Sequence, residues 1–132
     1  MTYVPPFNHF RRKLRMSAAN GPQRVQMEYD DLLDYIKLLL RSVAVDEAWY
    51  LARNPDVAQA IAKGNYRSAK HHFVEDGYFE GRMPYEFKVD EVWYAGHYPD
   101  VAAGLKEGVF DSARQHFLSH GYMEGRLPCA EY

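Results

Sequence analysis

The chain reads as all-α: one long amphipathic helix packed on two tandem three-helix repeats. Three observations predict this. The phrase GYFEGRMP at 77–84 returns as GYMEGRLP at 121–128, 44 positions on. Laying 45–84 over 89–128 without a gap leaves 20 of 40 positions identical, a self-similarity of the length that marks repeat architectures. Between 25 and 43, apolar residues recur at the spacing of one helix face.

Residues 1–24 are the first element, a basic arm. Pro5, Pro6, Gly21 and Pro22 break any helical pattern there, so an extended or mobile segment is expected. Through residue 27 the chain holds Arg11, Arg12, Lys13, Arg15 and Arg24 and no acid, a charge of +5. From residue 28 on, 11 bases meet 18 acids, leaving −7. A basic arm on an acidic body can meet that body, a second copy of it, or an anionic partner. The aromatic and cationic run at 7–16 makes Arg11, Arg12, Lys13 and Arg15 candidate contacts for nucleic acid or an anionic membrane.

The second element spans 25–43. Leu32, Leu33, Ile36, Leu39, Leu40 and Val43 fall at i, i+1, i+4, i+7, i+8 and i+11, an apolar stripe on a helix of about five turns. Repeat units of this kind do not each bury their own apolar face, and terminal ones need a cover. The helix is therefore expected to lie on the repeats as a lid, or to zip with its twin in a homodimer through Leu32, Leu33, Ile36, Leu39 and Leu40.

The repeats follow as 45–88 and 89–132. A third copy would begin at 133, so an N-terminal segment plus two complete units is expected. In each unit Asp46 or Asp90 is placed to cap a first helix through Trp49 and Tyr50, or Trp93 and Tyr94. Pro55 and Pro99 suit the first position of a second helix, where a missing N–H costs nothing. Asn54 is a candidate cap for that helix; Tyr98, its counterpart, is not. Val57, Ala58 and Ile61 form its apolar stripe, matched by Val101, Ala102 and Leu105. Gly64 and Gly108 suit the left-handed residue that ends it. The third helix begins near Ser68 or Ser112, places Ala69, His72, Phe73 and Asp76 on one face, and is expected to stop at Gly77 or Gly121.

Composition sets the remaining limits. Hydrophobic residues at 47% and charged residues at 26% describe an ordinary globular domain. No apolar run approaches the ~18 residues of a membrane-spanning helix. The N-terminus lacks the h-region of a signal peptide, so a cytoplasmic location is expected. Cys129 is the single cysteine, which excludes an internal disulfide.

Polar residues that recur in both copies are the candidate site residues: Asp46, Asp56, Glu80 and Arg82, with Asp90, Asp100, Glu124 and Arg126. One reading has each arginine bridging to an acid at a helix N-terminus, which pins a loop. The other is a repeated ligand contact. Trp49, Tyr50, Trp93 and Tyr94 could stack on sugar rings if exposed; the alternative is a core Trp beside a half-exposed Tyr. His116 and His120, at i and i+4, have zinc-ligand spacing, but no HExxH pattern or cysteine set accompanies them. No metal or cofactor is expected. Without GxSxG or a GxxxxGK phosphate loop, the chain is expected not to be an enzyme.

The string WYLARNPDVAQAIAKGNYRSAKHHFVEDGYFEGR resembles a bacterial helical repeat of about 40 residues, often appended to glycosyltransferases and other surface-polysaccharide or secreted calcium-binding proteins. The resemblance covers 45–84 and 89–128, and departs from the pattern at Tyr98, where Asn is usual. It implies a non-enzymatic adaptor or regulator in bacterial surface-polysaccharide synthesis, with a protein partner such as a glycosyltransferase. A carbohydrate-binding module is the alternative.

Overall fold

The computed structural model describes residues 3–17 and 20–131. These are mostly helical, with one small two-stranded sheet among them. The chain divides into two compact units between Tyr85 and Glu86.

The first unit opens with more structure than an arm. Helix α1, Phe7–Arg11, begins after Pro6. Strands β1 (Arg15–Ser17) and β2 (Arg24–Gln26) pair antiparallel, with Met16 opposite Val25. Asn20 and Gly21 take positive φ, 49° and 148°, as a chain reversal requires. This departs from the expectation of an extended segment and of helix from residue 25. Val25 and Gln26 pair in β2, and helix α2 begins only at Tyr29 and ends at Leu40. A three-residue strand gives no run long enough to show its alternation, so backbone pairing decided what periodicity could not.

Helix α2 covers the core of its own unit. Leu40 is buried, and Ile36 and Val43 pack with it against Tyr50, Val57, Ala69, Phe73 and Val74. Lys37 adds an ion pair to Glu75 at 2.9 Å. Tyr35, outside the expected stripe, is also buried. Phe10 of α1 meets its ring edge-on at 4.8 Å, and its hydroxyl donates to the His9 carbonyl at 3.4 Å. Of the five residues assigned to a dimer seam, Leu40 and Ile36 are spent on this core, Leu33 is half-buried, and Leu32 and Leu39 are exposed.

Residues 46–84 hold α3 (Glu47–Arg53), α4 (Pro55–Ala62) and α5 (Ala69–His72), which widens into a π-helical turn, Phe73–Gly77. In the second unit residues 90–128 hold α6 (Glu91–His97), α7 (Pro99–Lys106), α8 (Ala113–His116) and a second π-turn, Phe117–Gly121. Local chemistry explains the matching boundaries. Asp46 Oδ1 accepts from the Trp49 amide and Asp90 Oδ1 from the Trp93 amide, both at 3.0 Å. Ser68 and Ser112 cap α5 and α8 in the same way. Gly64 and Gly108 leave α4 and α7 in the left-handed region, at φ 82° and 76°.

The third helix of each stretch ends at Gly77 or Gly121, the last residue of its π-turn, as expected, and a left-handed glycine follows four residues on, at Gly81 or Gly125. One expectation is corrected: the second unit has a core of its own, since Tyr94, Val101, Ala113 and Phe117 form a buried cluster there. Each stretch closes on itself. The Asp46 amide donates to the Pro84 carbonyl and the Asp90 amide to the Pro128 carbonyl, both at 3.0 Å. This closure brings the end of each stretch back to its first helix and surrounds one tyrosine.

Candidate functional site

That tyrosine is the centre of each stretch. Tyr50 and Tyr94 are both 0% exposed. The Tyr50 hydroxyl bonds His72 Nδ1 at 2.8 Å, and Tyr94 bonds His116 Nδ1 at the same distance. Burial pushes both phenols up to about 12 and lowers both imidazoles from their ordinary value. At neutral pH the bond therefore joins an uncharged phenol to an uncharged ring. Gly77 and Gly121 make the room: a Cβ at either position would overlap the tyrosine hydroxyl.

The reading of Trp as core and Tyr as half-exposed is thus inverted. Trp49 and Trp93 are the partly buried members. The Arg53 guanidinium lies over Trp49 at 5.4 Å, and His97 stacks on Trp93 at 4.5 Å. Tyr50 and Tyr94 have no face for a sugar ring. The closure that puts helix position 50 or 94 at the centre of its core turns the neighbouring tryptophan toward the rim.

The other recurrent polar residues form a second constellation. Arg82 forks onto Asp56 with bonds of 3.0 and 2.8 Å, and its Nε donates to Glu80 at 2.7 Å. Arg126 does the same to Asp100, at 2.8 and 2.7 Å, and to Glu124 at 2.6 Å. Asp56 and Asp100 stand in the first turns of α4 and α7, so a carboxylate also meets the positive helix end. Hydrogen bonds from the arginines hold Asp56 below the usual carboxylate range and Asp100 down to about 2. The carboxylates in turn raise both guanidinium groups. Glu47 and Glu91 are also engaged: each accepts a backbone amide from the first turn of the third helix, Lys70 at 3.1 Å and Arg114 at 3.0 Å.

Asn54 does not cap α4. Its amide donates to the Tyr50 carbonyl at 2.8 Å and its oxygen accepts from Arg82 at 3.0 Å. Tyr98 replaces it with different bonds. Its hydroxyl accepts from the Leu127 amide at 2.8 Å, and Arg126 lies over its ring at 4.9 Å. Both residues brace the loop that carries the arginine.

The copies also diverge at a contacting pair. Tyr66 donates to Asp76 at 2.5 Å in the first, which raises the phenol. In the second, Phe110 meets His120 edge-on at 6.0 Å. His116 and His120 stack at 5.7 Å, with His116 Nδ1 already held by Tyr94. Among the described residues no group of three or more ligand-type side chains could hold a metal ion.

The N-terminal cations lie elsewhere in the first unit. Arg11, Arg12, Lys13, Arg15 and Arg24 are all exposed, and Lys13 pairs with Asp31 at 2.9 Å. No helix among the described residues is long and apolar enough to cross a membrane.

Sequence reasoning missed the Tyr–His–Gly triple. A signal was present: Tyr50, His72 and Gly77 recur with identical spacing as Tyr94, His116 and Gly121. The joint change of Tyr66 and Asp76 to Phe110 and His120 was a second legible trace of contact. No family model, curated protein or solved structure matches the chain.

Proposed function

We propose that this chain is a non-enzymatic adaptor built of two tandem helical repeats, 45–88 and 89–132, with helix α2 as a cover. Its place is in bacterial surface-polysaccharide synthesis, on the cytoplasmic side, and its partner is a protein such as a glycosyltransferase. The observation that carries this reading is where the recurrent polar groups are used. Asp46 and Asp90 cap, Glu47 and Glu91 hold the third helix, and Arg82 and Arg126 lock Asp56 and Asp100. Residues kept in both copies are consumed inside the fold, which leaves the outer surface free to diverge toward partners.

One exposed apolar position recurs on that surface. Phe79 (40% exposed) and Met123 (70%) are equivalent residues beyond the two π-turns, each just before the Glu-Gly-Arg turn. Phe and Met are enriched at protein interfaces relative to the rest of a protein surface. The test is co-purification with an envelope glycosyltransferase from the native bacterium. Phe79→Asp together with Met123→Asp is expected to abolish it and leave the melting curve in place. Retained capture by that double variant, or absence of any envelope enzyme from the native complex, would sink the reading.

A further inference from the structure

The first 26 residues pose a problem that the adaptor reading leaves unanswered. Phe7, Met16 and Val25 are 68%, 46% and 53% exposed, in a segment whose charged residues are all cations. A lone two-stranded ribbon is marginal in water, and β1–β2 is exposed at every position on both strands.

The pairing register sorts its side chains. Successive residues on a strand point to opposite faces. Met16 sits opposite Val25, so these two share one face. Arg15 pairs with Gln26 and Ser17 with Arg24, which puts all four on the other. The ribbon is amphipathic, with an apolar pair on one side and two arginines on the other. Next to it, Arg12, Lys13, Arg15 and Gln26 line a hollow of about 460 Å³, together with Glu28 and Asp31. Asp31 is already held by Lys13.

We propose that this segment is a docking surface for a bilayer rich in anionic phospholipid. The Met16–Val25 face and Phe7 enter the acyl boundary, while Arg11, Arg12, Arg15 and Arg24 reach phosphate along their flexible stems. A lipid surface offers hydrocarbon and phosphate at adjacent depths, so it accounts for both the exposed apolar side chains and the cations. A nucleic acid accounts for the cations alone and leaves Met16 and Val25 in water. The charge distribution gives the orientation. A segment of +5 in a chain that otherwise sums to −7 directs the N-terminal end toward a negative surface. Attachment is peripheral and reversible.

The test is sedimentation of the full chain with vesicles of phosphatidylcholine, alone and mixed with phosphatidylglycerol, at low and high salt. Binding to the anionic vesicles only, weakened by salt, is expected. Each arginine near the surface contributes about fivefold, so Arg15→Gln with Arg24→Gln lowers partitioning roughly 25-fold. Arg11→Gln with Arg12→Gln, outside the ribbon, does the same even if the first pair disturbs the strands. Met16→Ser with Val25→Ser lowers it by about fivefold or more, from lost apolar burial. Equal binding to neutral vesicles, or none to either, overturns the proposal. So does a chain that retards duplex DNA and keeps that activity in the serine double variant, which assigns the cations to nucleic acid.

Discussion

Replacing Gly77 by alanine tests the account of the core most directly. In a helical turn the change is ordinarily favourable, by ~1 kcal/mol. Here the new Cβ would overlap the Tyr50 hydroxyl, and Tyr50, at 0% exposure, has nowhere to retreat. Overpacking of this kind costs ~1–3 kcal/mol. Breaking the 2.8 Å bond to His72 strands two buried polar groups, at a further ~1–3 kcal/mol. The net loss is ~3 kcal/mol, and a melting temperature lower by roughly 10 °C for a chain of this length. Tyr50→Phe alone leaves His72 Nδ1 without its partner and costs ~2 kcal/mol. In the double variant the obstructing oxygen is gone, and the nearest remaining atom is His72 Nδ1 at 3.2 Å. Its expected cost is therefore ~1–2 kcal/mol, against ~5 if the two changes were independent. Urea titrations followed by circular dichroism give all three values. Additivity, or a Gly77→Ala chain as stable as the parent, would refute the close-approach argument.

Three further outcomes follow from the same structure. His72 and His116 have lowered values because burial disfavours the charged ring. The unfolded chain then takes up protons first, so stability is full above pH ~6.5 and falls as the pH drops below it; denaturation midpoints at pH 7.5 and 5.5 measure this, and His72→Gln with His116→Gln should flatten the slope. Leu40→Ala, at a buried position, should cost ~2–4 kcal/mol, whereas Leu39→Ala, 45% exposed, should stay within ~0.5 kcal/mol; equal losses would mean that α2 does not cover this core. Arg82→Lys keeps the charge but loses the fork onto Asp56 and the bond to Asn54, so thermal unfolding should begin some degrees earlier; an unchanged curve removes the loop-pinning role.

Helical content, the Asp46 cap, the Pro55 start, the Gly64 exit and a third helix beginning near Ser68 were legible from residue type and spacing, because each depends on neighbours within one turn. Duplication sharpened the reading, since a cap or glycine present twice is hard to ascribe to accident. The β-ribbon escaped because each strand is three residues long. That Gly77 also makes room for Tyr50 escaped, because a glycine that ends a helix and one that admits a ring look identical in one dimension.

By itself the sequence determined the helical character of the two recurring stretches and of most of the amphipathic segment before them, and which residues recur, since those facts are written in local chemistry. Tertiary structure alone decided which aromatic of each Trp-Tyr pair is buried and that Arg82 and Arg126 reach carboxylates 26 positions away. It also decided that each stretch closes on its own proline carbonyl. These outcomes depend on residues far apart in the chain meeting around one buried ring, and no local spacing encodes that meeting.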